Sequence, residues 1–318
     1  MHAAAINLRG GVSPRGTLLR GQSIIEYVLI IAVIGMVIVF AGPGVAGAIR
    51  NQFNLVGNTV NNGTSGGAEG GGASGGGSAG ADSATVQAAI AKDAKDWTLD
   101  EQEAVAEDIA AKGEASPAYA KAKAAMDAGV EWSIKLTNGK QLKYRIIGIN
   151  HDDLADGSGK AGLTFQGTNS IAGDRVNSEY SNAGGWEKCE LRQKMNSGEI
   201  WNLMPDGIKG KVKEVNKPFV NKPFIGGDVK TTSDKLFILS RTEIFGTWPV
   251  KESDGTGYEY YAQFHMSWNN EAGAAVGDIS YWTRTPFNDN CYWFIEPSGR
   301  SNQEGSVKKY GIIPAWCF

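Results

Sequence analysis

Hydrophobic positions fall into distinct regimes along the chain. From Val28 to Ile49 there are 22 residues without a charge. At about 1.5 Å per residue, that run is long enough to cross a bilayer as a helix. Residues 57–82 (GNTVNNGTSGGAEGGGASGGGSAGAD) show no apolar period. Such a segment cannot bury enough surface to offset the entropy of ordering, so a flexible tether with a reach of about 25–30 Å is predicted. Residues 83–129 turn to Ala, Lys, Glu and Asp, and three helices are expected. Ser83 caps the first, over 84–95. Thr98, followed by Asp100 and Glu101, starts the second, which runs to Lys112 and stops at Gly113. Ser116 and Pro117 supply a cap and a first-turn proline for the third. Trp97, Val105 and Ile109 form one thin apolar stripe, as in a spacer or a lid packed on the next domain.

The pattern changes again at Val130. VEWSIKLT alternates, Asn138-Gly139 is a strong hairpin signal, and KQLKYRIIGIN returns. Residues 186–203 read as a helix, and Pro205 to Lys217 as a second, short and basic one. DKLFILS (234–240) reads as a buried strand, with Ser240 capping a turn over Arg241–Phe245. SYWTRTP (280–286), CYWFIEPSG (291–299) and GIIPAWCF (311–318) read as late strands. Residues 130–318 are therefore expected to form one α+β domain.

Charge narrows the function. The 318 residues carry a formal charge of −3. Residues 1–21 hold Arg9, Arg15 and Arg20 and no acid, so their removal takes the charge from −3 to −6. A net-acidic chain is a poor general binder of nucleic acid. The cysteines Cys189, Cys291 and Cys317 lack metal-finger spacing. There is no H-E-x-x-H, P-loop or Cys-x-x-Cys pattern, and G-x-S-x-G occurs only within the Gly/Ser-rich residues 57–82. His265 and His151 lie far apart. His151-Asp152-Asp153 with Asp156-Gly157 lacks the alternation of a calcium loop and reads as a solvated turn. No catalytic residue, metal or cofactor is expected. Cys291 and Cys317, on late strands, are candidates for a disulfide outside the cell. The aromatics Tyr258, Tyr260, Tyr261, Trp268, Trp282, Tyr292 and Trp293 either stack on sugars or proteins or belong to the core. Arg284 either contacts a ligand or satisfies carbonyls and an acid inside the fold. The candidate ligand-binding residues are Trp282, Arg284, Trp293 and Tyr261.

The apolar run has unusual flanks. Gly21 ends the basic leader, and Glu26 stands five residues later at the edge of the run. A carboxylate there is costly in lipid and needs a partner. Cleavage after Gly21 would supply one, the new α-amine of Gln22. Gly21, GQSII, Glu26-Tyr27 and the uninterrupted run together resemble the class III signal of type IV pilins, in its Flp (tight-adherence, type IVb) branch. That resemblance implies a leader at 1–21, cleavage by prepilin peptidase, and an assembly helix at 22–56. It implies that Glu26 guides subunit docking, Tyr27 packs in the filament core, and Pro43 kinks the helix as it leaves the membrane. Three Arg before the run put the N-terminus in the cytoplasm and residues 51–318 outside. The implied partners are other pilin subunits, the peptidase and, before assembly, the membrane. Flp pilins are usually very short, and this chain continues far beyond that length.

A second resemblance covers 130–318, carried by Trp186, Leu191, Arg192 and Asn196, by Asp234–Ser240, by Tyr281-Trp282-Thr283-Arg284-Thr285-Pro286, and by Gly311 to Phe318. These segments resemble a bacterial domain-of-unknown-function family that ends in a Gly-Val-Arg-Pro-Ala-Leu-Trp-Leu strand. Its layout is similar to the C-type-lectin-like or formylglycine-generating-type fold. The expected function is a pilin-like surface subunit that displays an adhesin-like head to a protein or glycan. The alternatives are a structural pilus subunit, a signal-anchored surface protein, and a tethered enzyme acting on glycans or protein cysteines.

Overall fold

The computed structural model describes residues 84–220, 228–246, 254–266 and 271–318. The expectations for Gly21, Gln22, Glu26, Tyr27 and Pro43, for the 22–56 helix, the 57–82 tether, Ser83 and Trp268 concern residues outside those described. Among the described residues no helix is long and apolar enough to cross a membrane.

Three helices come first: α1 (Ala84–Ala91), α2 (Leu99–Lys112) and α3 (Tyr119–Asp127). Thr98 caps α2 in a reciprocal box with Glu101, and Gly113 ends it at φ 58°, as the sequence predicts. The third helix starts at Tyr119, later than Pro117, after a turn in which Ala118 N donates to Oγ of Ser116 at 3.1 Å. The Ser116 hydroxyl donates to Asp108 Oδ2 at 2.5 Å, and its carbonyl accepts from Tyr119 N at 3.1 Å. Trp97, Val105 and Ile109 are all buried. They face inward onto the sheet that follows, and Trp132 Nε1 donates to Ala94 O at 2.9 Å. Helices and sheets share one continuous core.

The hairpin forms as expected. β1 (Trp132–Lys135) pairs antiparallel with β2 (Gln141–Ile149), with Gly139 at φ 85° in the turn. β3 (Leu163–Gly167) continues the sheet, and β11 (Ala315–Cys317) closes it in the order β1-β2-β3-β11. A Cβ on Gly162 would stand 1.8 Å from Ala106 O, so α2 reaches the sheet this closely only over a glycine. A second sheet runs β4 (Ala172–Asp174), β10 (Tyr310–Ile312), β7 (Tyr281–Pro286), β8 (Cys291–Ile295), β9 (Ser301–Gly305). A two-stranded ribbon, β5 (Val215–Val220) with β6 (Val229–Asp234), lies beside them. The described part is thus mixed α+β.

Four expectations change. The 186–203 helix is broken into α4 (Gly185–Lys188), α5 (Glu190–Asn196) and a 3-10 turn at Trp201–Leu203. Cys189 takes extended angles and caps α5, its Sγ accepting from Arg192 N. The basic 205–217 helix shrinks to α6 (Asp206–Lys209), because Lys211 turns to Asp100 and Glu103 of α2 and Val215 enters β5. Residues 236–240 are buried and extended but form no regular strand. Phe237 alone exchanges two hydrogen bonds with Ala315. GIIPAWCF is two strands in different sheets, divided at Ile313-Pro314, where proline cannot donate to a ladder.

Candidate functional site

The most concentrated chemistry is a group of charges that the fold has taken out of water. The sequence assembles it from four places. Asp152 follows β2, where Asn150 adopts φ 50° and its side-chain amide donates to Ile109 O at 3.1 Å. Lys217 sits in mid-β5, opposite Thr232. Glu243 lies on α7 (Arg241–Phe245), fixed by a capping box with Ser240. Arg284 lies in β7 where the register to β8 slips between Trp282 and Pro286, and its N–H bonds Leu239 O at 3.0 Å instead. All four side chains are at most 3% exposed.

The contacts are short and reciprocal. Lys217 Nζ lies 2.6 Å from Asp152 Oδ1 and 2.6 Å from Glu243 Oε1. Arg284 clamps Glu243 with two bonds, Nη1 to Oε2 at 2.5 Å and Nη2 to Oε1 at 2.8 Å. Its remaining hydrogens go to the carbonyls of Pro218, Ile238 and Asp254. Tyr258 OH bridges Lys217 Nζ at 2.9 Å and both Asp152 oxygens at 3.0 and 2.9 Å. Thr164 Oγ1 donates to Asp152 Oδ2 at 2.6 Å. The aromatic ring of Phe237 lies 4.2 Å from Lys217 Nζ. A Cβ on Gly148 would meet Tyr258 Cδ1 at 2.8 Å, so the tyrosine ring reaches this position over bare backbone.

Electrostatics follow from the pairing. Burial disfavours the Asp152 and Glu243 carboxylates, but Lys217 opposes this at Asp152, and Arg284 and then Lys217 at Glu243, holding both pKa values below the ordinary range. Burial likewise disfavours the Lys217 ammonium, and Asp152 and Glu243 overrule it, raising its pKa. Burial drives the Tyr258 phenol and the Cys317 thiol far up, so both stand as neutral donors beside Asp152. Two cations face two anions, and the cluster is neutral. His151, its ring centroid 4.0 Å from that of Tyr258, connects it to the surface at Glu259, 3.2 Å away.

The expectation of a solvated turn at His151-Asp152-Asp153 is therefore corrected: Asp152 is 4% exposed and central. The sequence reading missed Lys217, Glu243 and Asp152. A charged residue in the inward register of an otherwise apolar strand, as in Val215-Asn216-Lys217-Pro218-Phe219-Val220, was the available signal.

Of the two readings left open for Arg284, the internal one holds. The structure does not bring the four candidate ligand-binding residues into an open face. Trp282 is buried against Phe294 and Tyr310 and donates to Asp174 O. Trp293 packs on Phe287 and under the Arg241 guanidinium. Tyr261 donates to Gln166 Oε1 at 2.6 Å and borders a narrow groove of about 220 Å³ with Phe245, His265 and Met266. Cys291 and Cys317 are free thiols. Cys317 Sγ lies 3.5 Å from Asp152 Oδ2, and Cys291 Sγ lies 3.6 Å from Tyr180 OH. The expected disulfide is absent, because the two strands carry these thiols to different sheets.

A larger open groove of about 470 Å³ lies at β4 and α5. Asp174, Arg175, Lys194, Glu199 and Lys309 line it. Lys194 spans it, 2.6 Å from Asp174 and 3.2 Å from Glu199. Among the described residues no three His, Cys, Asp or Glu side chains converge as a metal site would need.

No curated protein and no solved structure matches the chain. Asp152 comes from before the stretch that does find a counterpart, whereas Lys217, Glu243, Tyr258 and Arg284 lie within it. That stretch, residues 162–318, runs from the glycine under α2 through the closing strand β11 and matches the family model of a domain of unknown function, DUF6273.

Proposed function

We propose that this chain is a pilin-like surface subunit that displays its C-terminal domain as a binding head. The observation that carries the reading is the joint occurrence of Gly21, Glu26-Tyr27 and the 22 uncharged residues from Val28 to Ile49. Prepilin peptidase cleaves after Gly21. The 22–56 helix waits in the membrane and then packs into a Flp/Tad-type fibre. The new amine of Gln22 answers the Glu26 carboxylate. Residues 57–82 tether the head outside the cell.

The head is suited to binding rather than turnover. Its strongest acids and bases are spent on one another in the interior, and a general acid or base must reach the substrate. The open groove at β4 and α5 offers paired charges of both signs, the surface a polar glycan or peptide would use. The return of β11 to β3 supports the likeness to C-type-lectin-like layouts.

Gly21→Ala tests the reading. An uncleaved chain that is absent from sheared filaments is the expected outcome. Normal processing and assembly of that variant would overturn it. Charge reversal of Lys194 and Arg175 should reduce surface attachment while leaving filaments intact.

A further inference from the structure

We propose that Lys217 and Asp152 condense, forming an intramolecular amide that cross-links β5 to the loop after β2. The proposal is independent of the fibre reading, since it concerns the head alone.

The geometry assembles every reactant. The nucleophile Lys217 Nζ is held 2.6 Å from Asp152 Oδ1. A second carboxylate, Glu243 Oε1, lies 2.6 Å from the same nitrogen and can take its proton across one hydrogen bond. The electrophile is polarised by neutral donors, Thr164 Oγ1 at 2.6 Å from Oδ2 and Tyr258 OH at 2.9 Å. Phe237 and Tyr258 present their rings to the amine and exclude water, as do the surrounding buried residues.

The step balances without any co-reactant. Glu243 accepts a proton from the Lys217 ammonium, and the freed amine attacks Asp152 Cγ. The carbon–nitrogen bond forms, the adduct nitrogen gives a second proton to Glu243, and one carboxylate oxygen, having received both protons through Glu243 and Tyr258, leaves as water. Glu243 returns to its ionised state. An ammonium and a carboxylate thus become an amide and one water, with no change in oxidation state.

Two physical terms favour it. Reacting groups fixed in this way reach effective molarities on the order of 10⁵–10⁸ M. The amide also removes two buried charges, whose desolvation is costly, and leaves the bidentate Arg284–Glu243 pair neutral overall. Arg284 keeps Glu243 from holding the proton once the bond has formed.

The test is mass spectrometry of the full chain from its native membrane or filament fraction. The expected intact mass is lighter than the processed sequence by one water. Imides at Asp156-Gly157, Asp206-Gly207 or Asp254-Gly255 would lose the same mass, so the site must be read directly. Trypsin should release a branched peptide joining residues 146–160 to residues 214–230, with fragmentation placing the bond at Lys217 and Asp152. Lys217→Met should abolish the branched peptide. Recovery of 146–160 and 214–230 only as separate linear peptides from the native chain would overturn the proposal, whatever the variant does.

Discussion

The described α+β region is held at two centres built on opposite principles. One is the aromatic centre under the first sheet, where Trp132, Tyr144, Phe165, Trp316 and Phe318 pack ring to ring, with Tyr144 5.1 Å from Trp316 and Phe165 5.0 Å from Phe318. The other is the ionic centre of Asp152, Lys217, Glu243 and Arg284. Apolar packing is non-directional and sums many small contacts, so a neighbour can shift to cover part of a loss. Paired buried charges have no such tolerance. Each member is present at the cost of desolvation and is stable only while its counter-ion is in place. The first centre joins helices to sheet, and the second fixes the ribbon, α7 and β7 against one another.

The contrast sets an order of effects. Arg284→Met removes both bonds to Glu243 and the donors to three carbonyls. It should cost about 3–5 kcal/mol in urea denaturation, or prevent folding. A loss of under about 1 kcal/mol would mean that water enters the ionic centre.

Acid comes next. Glu243 has a folded pKa below its ordinary 4.5, so folding favours the ionised form. Its contribution is complete above that value and is lost as pH falls through the folded pKa. The urea midpoint should decline on acidification below about pH 4.5, and Arg284→Met should flatten that decline.

Ile146→Val, in the aromatic centre's sheet, should cost only about 0.5–1.5 kcal/mol by the same assay. Thr98→Ala removes the α2 cap and should cost about 1 kcal/mol. Lys123→Ala breaks only the exposed pair with Asp127 and should leave the midpoint unmoved.

Much of the scaffold was legible in the sequence where the local signal and the tertiary outcome agree. Thr98 with Glu101, Gly113, Asn138-Gly139 and the Ser240 cap each state their own geometry. Five strands went unread: β4, β6 and β9, whose sequences AGD, VKTTSD and SNQEG are polar because they sit at or near sheet edges, the short buried β3 (LTFQG), and β5, whose first residues were read into the 205–217 helix. Residues 236–240 were rightly read as buried. Their neighbours decide against a ladder, since Arg284 takes the carbonyls of Ile238 and Leu239. The ionic centre was illegible for a different reason: its four members are 26 or more residues apart in the sequence, and the inward register of Lys217 in β5 marks a buried charge without naming its partners. Trp282 and Trp293 were ambiguous on the same ground, because an aromatic on a strand carries no mark of which face is covered.

Everything proposed about display depends on how the chain begins once it reaches the surface. Mass spectrometry of the N-terminal peptide, taken from sheared surface filaments, decides it. A start at Gln22, with or without a methyl group on its amine, is the result this account predicts. A start at Met1, or recovery from the membrane fraction alone, would contradict it and leave a signal-anchored surface protein in place of a fibre subunit.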